Sequence, residues 1–128
     1  MTNVLFVCIG NSGRSVLAEQ LFRVEAAGRH DARSAGSEPA SGPEPGVVEV
    51  LAELGIDVSG HVPQKLTDEL VDWADVVVAA CDGACPVVPG KPYWSWHLPD
   101  PWGMPVGDVR ALRDDVHAKV RELLGSLG

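Results

Sequence analysis

The sequence predicts an α/β fold in which a parallel sheet is covered by helices on both faces. Two apolar runs, residues 4–8 and 76–80, have the length of strands and lack alternation of polar and apolar residues, which is typical of strands buried on both sides. Segments with apolar residues at helical spacing separate these runs and follow them. Because strands that alternate with helices pair in parallel, we expect a three-layer α/β/α arrangement.

Each element is predicted from a local pattern. Strands are predicted at residues 4–8, 31–37, 76–80 and 93–98. Helices are predicted at about residues 12–27 and 108–124, from Pro45 to Gly55, and over a short segment capped by Thr67. The apolar positions expected to be buried are Leu17, Leu21 and Val24 in the first helix and Val47, Leu51 and Leu54 in the second. A loop rich in proline, glycine and serine, residues 37–46, separates these two helices from each other.

Composition and charge limit the function classes. The chain of 128 residues is long enough for one domain, 1–128, and 45% of its residues are hydrophobic, as in a globular protein. Its formal net charge of −8 disfavours nucleic acid and anionic lipid as partners. No apolar run reaches the roughly 18 residues of a membrane span, and no basic run of a signal peptide opens the chain. We therefore expect a cytoplasmic protein without membrane or nucleic-acid partners.

The loop between the first strand and the first helix carries the clearest chemical signal. Five residues separate Cys8 from Arg14. A loop of this length that enters a helix can curl so that its backbone N–H groups point at one anion, and its two glycines permit the curl. Arg14 can add a bidentate contact to a tetrahedral oxyanion, with Cys8 facing the central atom. The predicted oxyanion site consists of Ile9, Gly10, Asn11, Ser12, Gly13 and Arg14.

Cys8 is the candidate nucleophile. Helix N-termini and nearby cations favour the thiolate form of a cysteine, and Ser15 is expected to donate a hydrogen bond to the sulfur. Asn11 is expected to hold the loop through hydrogen bonds between its side chain and the backbone. The alternative is an inert cysteine at the end of a buried strand. The position of the motif between a strand and a helix favours the nucleophile.

The segment "VCIGNSGRSVLAE" resembles the phosphate-binding loop shared by low-molecular-weight protein tyrosine phosphatases and thioredoxin-coupled arsenate reductases. The resemblance extends over almost the whole chain, through "RSAGSEPA", "LGIDVSGHVPQKLT" and "LPDP". It implies a low-molecular-weight phosphatase-like fold with a four-stranded parallel sheet of order 2-1-3-4. Val16 departs from both groups, since the resemblance would place glutamine there in most such reductases and proline in the phosphatases.

Two further cysteines favour the reductase. Cys81 ends the strand at 76–80, and Cys85 follows in the segment "CDGACP". In the implied sheet order, Cys8 and Cys81 follow adjacent strands at one edge of the sheet, where open α/β sheets bind ligands. A hydrolytic phosphatase needs no second thiol, whereas a reductase must supply two electrons. Inert core thiols and half of a zinc site are the alternatives for this pair.

The resemblance implies a relay of three thiols, and the reaction needs no bound organic cofactor. We expect no metal, because the histidines show no ligand pairing with these cysteines. Cys8 attacks arsenate and forms a thio-arsenate adduct. Cys81 attacks the sulfur of Cys8 and releases arsenite, and Cys85 then attacks Cys81. The resulting disulfide is reduced by an external donor. The short spacing from Cys81 to Cys85 resembles an actinobacterial-type branch, for which thioredoxin and a low-molecular-weight thiol such as mycothiol are both candidate donors.

Asp100 lies between two prolines in "LPDP". The resemblance implies that Asp100 is the general acid that protonates the leaving oxygen, and the plain alternative is an aspartate in a turn. The resemblance to the phosphatases would place tyrosines after this Asp-Pro pair, but Trp102, Gly103 and Met104 follow it here, which also favours the reductase. The sequence thus predicts an arsenate reductase. A phosphatase of the same fold and a non-enzymatic thiol sensor of arsenite or of redox state are the alternatives.

Overall fold

Four parallel strands form one sheet, in the order β2-β1-β3-β4, in the computed structural model, which describes residues 1–81 and 90–127. The elements in chain order are β1 (Asn3–Cys8), α1 (Arg14–Ala26), β2 (Asp31–Gly36), α2 (Pro45–Ala52), α3 (Asp68–Trp73), β3 (Val76–Ala79), β4 (Tyr93–Ser95) and α4 (Val106–Leu127). This confirms the predicted strand order and fold class. The bounds of the elements differ from the predicted ones by a few residues at most.

Strand β1 lies at the centre of the sheet and supplies both halves of the core. It pairs with β2 on one side and with β3 on the other. Because side chains alternate along a strand, Val4 and Phe6 enter the cluster under α1, α2 and α4, while Leu5 and Val7 enter a smaller cluster under α3. The uninterrupted apolar run therefore reflects burial on both faces, which gives the expected three layers.

Aromatic packing centres the larger core on β1. The ring of Phe6 meets that of Phe22 of α1 edge to face, with 5.6 Å between the centroids, and lies 5.8 Å from that of Trp96. Such pairs stabilise a fold by about 0.5–1.5 kcal/mol beyond the burial of their area. Trp96 is thus a core residue that fixes the segment following β4.

Two predictions about buried positions are wrong. Val24 is 57% exposed and Leu54 is 47% exposed. The buried face of α1 is centred on Ala18 and Phe22, and Val24 lies about 200° around the helix from Phe22, so its side chain points away from the core. Leu54 follows the last residue of α2 in a turn, and Ile56 packs against the core in its place.

An ion-pair cluster fastens the end of α2 to α4. The carboxylate of Glu53 accepts hydrogen bonds from Arg110 at 2.6 and 2.9 Å and from Arg113 at 2.8 Å. Arg113 also donates to the carbonyl of Val50 at 2.8 Å. These guanidinium groups, Arg110 first, lower the pKa of Glu53 to about 2.

Of the helices in the described ranges, none is long and apolar enough to cross a membrane.

Candidate active site

The site lies where β1 ends and α1 begins. Cys8 is the last residue of β1, and Arg14 is the first residue of α1. The chain between them, residues 9–13, turns at the carboxyl edge of the sheet, beside the end of β3. This edge is where the strand order reverses, with β2 on one side of β1 and β3 on the other. Ligands of open α/β sheets bind at such a switch point.

Every backbone carbonyl of this loop, from Cys8 to Ser12, accepts a hydrogen bond from a residue outside the loop. Backbone N–H groups of the following loop donate to four of them: Ser37 to Cys8 at 3.2 Å, Glu38 to Ile9 at 2.8 Å, Ala40 to Gly10 at 2.9 Å and Glu44 to Ser12 at 2.8 Å. The fifth carbonyl, that of Asn11, lies 2.8 Å from Nε2 of His61. A carbonyl only accepts, so Nε2 of His61 carries the proton.

The outward carbonyls determine the direction of the N–H groups. In a planar trans peptide the C=O and the next N–H point in opposite directions, and the described chain has no cis peptide. Among the described residues, no acceptor pairs with the N–H groups of Gly10, Ser12 or Gly13. These groups face inward and, with the N-terminus of α1, form a cradle for an anion.

The sulfur of Cys8 receives two hydrogen bonds. The N–H of Asn11 donates to Sγ at 3.2 Å, and Oγ of Ser15 lies 2.8 Å from Sγ. The side chain of Asn11 decides which atom donates in the second contact. Its Oδ1 accepts from the N–H of Gln64 at 3.0 Å, so its Nδ2 faces the other way and donates to Oγ of Ser15 at 2.9 Å. The hydroxyl hydrogen of Ser15 is then free to donate to Sγ, which stabilises the thiolate.

A buried polar chain holds Asn11 in this orientation. Nδ2 of Asn11 also donates to Ser34 at 2.9 Å, and the Ser34 hydroxyl donates to Glu19 at 2.7 Å. Glu19 pairs with Arg23 at 3.2 Å. Asn11 is fully buried and has a φ of 49°, a left-handed conformation that asparagine tolerates. The predicted role of Asn11 in shaping the loop is supported, with more partners than the sequence suggested.

Gly36 allows the close approach of β2 to the loop. A Cβ at this position would lie 2.4 Å from the carbonyl oxygen of Ile9 and 2.9 Å from the nitrogen of Asn11. Both are backbone atoms, which cannot rotate away. The absence of a side chain at Gly36 is therefore a condition for the observed loop geometry.

A cavity of about 200 Å³ opens above the loop. Its walls are formed by Cys8, Ile9, Gly10, Ser12, Gly13, Arg14, Glu44, Asp100, Pro101 and Trp102. The guanidinium of Arg14 is buried and donates to the carbonyl of Leu98 at 3.2 Å, which orients it from behind. Oδ1 of Asp100 accepts the N–H of Trp102 at 3.0 Å. The structure thus brings Cys8, Arg14 and Asp100 to one cavity.

Cys81 lies beside the loop but is not part of the cavity wall. It follows β3 by two residues and is buried, and its Sγ lies 3.8 Å from the carbonyl oxygen of Val7. Cys81 is disulfide-bonded, whereas Cys8 is a free thiol. Cys85 lies outside the described residues, so its predicted position is not tested.

Three residues of this site were missed by sequence reasoning. Glu44 was assigned only to a loop, and His61 and Gln64 carried no assignment. Glu44 had one usable signal, since an acidic residue before a proline marks the start of α2. His61 and Gln64 reach Asn11 across 50 and 53 residues of sequence, and no local pattern indicates such contacts.

Comparisons with known proteins found one matching family and several similar proteins. The family model described as low molecular weight phosphotyrosine protein phosphatase matches residues 3–128. An arsenate reductase of Staphylococcus epidermidis is 31% identical, over 91% of this chain and 91% of its own. The crystal structure of an arsenate reductase from Archaeoglobus fulgidus is 37% identical, with a TM-score of 0.84 over 95% of this chain and 98% of that one.

A third similar protein has a known structure and is longer than this chain. It is a thioredoxin-dependent arsenate reductase of Corynebacterium glutamicum, 35% identical, with a TM-score of 0.80. The match covers 98% of this chain but 61% of the Corynebacterium chain. The chain therefore spans less than two thirds of the length of this relative.

Proposed function

We propose a reaction scheme for this chain, which belongs to the low molecular weight phosphotyrosine protein phosphatase family and is an arsenate reductase. The observation that carries the scheme is the ring of inward N–H groups around a thiol that two donors contact at 2.8 and 3.2 Å. This arrangement binds a tetrahedral oxyanion and presents a nucleophilic sulfur to its central atom.

In the first step the thiolate of Cys8 attacks the arsenic atom. An As–S bond forms, an As–O bond breaks, and the leaving oxygen takes a proton and departs as water. Asp100 is the acid, because its carboxyl lies in the wall of the same cavity as the sulfur. Arg14 and the inward N–H groups of Gly10, Ser12 and Gly13 hold the remaining oxygens, while the hydroxyl of Ser15 and the N–H of Asn11 donate to the sulfur.

In the second step two electrons reach arsenic. The structure holds Cys81 in a disulfide, which the external donor must reduce before this step. The Cys81 thiolate then attacks the sulfur of Cys8, a disulfide forms, and the As–S bond breaks with its electron pair on arsenic, which leaves as arsenite. The short distance from Sγ of Cys81 to the carbonyl oxygen of Val7, the neighbour of Cys8, supports this step. Cys85 then attacks Cys81 and frees the thiol of Cys8 for the next cycle.

The external donor reduces the last disulfide. Thioredoxin is the donor we propose, because the similar protein of Corynebacterium glutamicum is thioredoxin-dependent. A low-molecular-weight thiol such as mycothiol is the second candidate. The prediction that the whole chain forms one cytoplasmic domain stays a prediction.

Cysteine variants test the scheme in a coupled assay with arsenate, thioredoxin, thioredoxin reductase and NADPH. Cys85→Ser is expected to release one arsenite per chain and then stop, with a Cys8–Cys81 disulfide that peptide mass spectrometry locates. Cys81→Ser is expected to stop at the adduct. Cys8→Ser lacks the nucleophile of the first step and serves as the inactive control.

Two results would contradict the scheme, and a third would change its electron donor. Full turnover by the Cys81→Ser and Cys85→Ser double variant with thioredoxin would exclude the relay. Turnover of that double variant with mycothiol alone would assign the low-molecular-weight donor. Hydrolysis of p-nitrophenyl phosphate at an equal rate in the wild type and in Cys81→Ser, without arsenite formation by either, would assign a phosphatase.

A further inference from the structure

Glu44 brings a second carboxyl group into the wall of the site. Its N–H donates to the carbonyl of Ser12 at 2.8 Å, and Pro45 begins α2 directly after it. The bond to Ser12 and the rigid start of the helix fix the backbone of Glu44 against the oxyanion loop. The side chain is half-buried and lines the same cavity as Cys8, Arg14 and Asp100.

The charges around Glu44 do not favour its ionised form. Within the described part of the chain, no cation forms an ion pair with Glu44. Burial, and then the charge of Asp100, raise the pKa of Glu44. The other ionisable groups that share the cavity are the thiol of Cys8 and the guanidinium of Arg14, which already donates to Leu98.

The two carboxyl groups differ in their hydrogen bonds. Oδ1 of Asp100 accepts the N–H of Trp102 at 3.0 Å, whereas the carboxyl of Glu44 has no hydrogen bond to a described residue. Two carboxyl groups that act on each other across one cavity bind their first proton more readily than either would alone. When an arsenate anion enters the cavity, its negative charge favours a proton on the pair further.

We propose that Glu44 and Asp100 form a carboxyl pair that holds one proton, and that this proton goes to the oxygen that leaves arsenate. The proposal rests on the proposed function, since it assigns the proton of the first step. That step balances: the Cys8 thiolate, H₂AsO₄⁻ and the singly protonated pair yield the thio-arsenate monoanion, water and the doubly ionised pair. Glu44 is the member that holds the proton, because burial and then the charge of Asp100 raise its pKa.

The first measurement is the rate of adduct formation in a single turnover, followed from pH 5 to pH 9. We expect the wild-type rate to fall as the pair loses its proton, and Glu44→Gln to move this fall to lower pH by about one unit, because the like charge is gone. Glu44→Asp should restore most of the wild-type profile. Glu49→Gln, an exposed glutamate of α2 outside the cavity wall, is the matched control and should leave the profile unchanged.

The second measurement does not depend on arsenate reduction. Sulfate is a tetrahedral dianion that does not titrate near neutral pH, and calorimetry gives its affinity at each pH. The wild-type affinity should fall with rising pH more steeply than that of Glu44→Gln. At pH 8 the variant should bind sulfate about tenfold more tightly, because it lacks one negative charge in the cavity.

The outcomes separate the two proposals. If the wild type forms no adduct with arsenate but sulfate shows the expected difference, the proposed reaction fails and the carboxyl pair stands. If the wild type turns over while Glu44→Gln matches it in both pH profiles, the pair is excluded. A shift of the rate profile to higher pH in Glu44→Gln would also overturn it.

Discussion

Replacement of Gly36 by alanine tests whether the oxyanion loop depends on its contact with β2. The added Cβ would lie 2.4 Å from the carbonyl oxygen of Ile9, whereas ordinary contacts begin at 3.4 Å. Either the strand or the peptide between Ile9 and Gly10 must therefore move by about 1 Å. That peptide carries the N–H of Gly10, one of the groups that face the anion.

The expected losses follow from this displacement. A misplacement of about 1 Å in a catalytic site typically lowers the rate by roughly 10²-fold. Overpacking of a tight contact costs about 1–3 kcal/mol of unfolding free energy, which corresponds to a fall in Tm of about 4–12 °C for a domain of this size. Gly36→Ala should therefore lose most of its activity while still folding.

The assay compares arsenate turnover and Tm in the wild type, Gly36→Ala and Gly42→Ala. Gly42 lies in the loop that bonds to the oxyanion loop, and a Cβ there would meet nothing within 4 Å, so this variant is the matched control. Turnover by Gly36→Ala within threefold of the control would show that the loop adapts to the side chain. The 2.4 Å contact would then not constrain the loop.

Two further predictions concern charged groups. Arg14→Lys should lower arsenate turnover almost as far as Arg14→Ala, because lysine keeps the charge but loses the planar pair of donors. Steady-state kinetics of both variants check this. Activity of Arg14→Lys within a few-fold of the wild type would mean that charge alone suffices. Glu53→Gln should lower Tm above pH 5 and have progressively less effect as the pH falls from 4.5 toward 2. The folded state lowers the pKa of Glu53 from 4.5 to about 2, so the ion-pair stabilisation is present above 4.5 and is lost as the carboxylate is protonated. Melting curves from pH 2 to pH 7 measure the difference, Glu122→Gln on α4 serves as the control, and an effect that grows toward low pH would contradict the assignment.

Local patterns in the sequence were sufficient for the order of the elements and for the identity of the reactive loop. Continuous burial on both faces requires apolar residues at every position, so β1 and β3 could be recognised without a structure. The loop is also formed by neighbouring residues of the sequence. Its thiol and guanidinium are positioned by a strand end, two glycines and a helix N-terminus within one short segment. For this reason the spacing of Cys8 and Arg14, together with the strand before it and the helix after it, was enough to predict an oxyanion loop.

Tertiary structure decided which groups reach that loop from distant parts of the chain. The loop carbonyls are bonded by residues 37–44 and by His61, and the orientation of Asn11 depends on Gln64 and Ser34. Long-range hydrogen bonds leave no periodic trace, because each needs one polar atom at one point in space. Glu44 was not predicted as a site residue for the same reason. Its sequence context marks only the start of a helix. Packing of that helix against the sheet brings Glu44 to the cavity that it shares with Asp100.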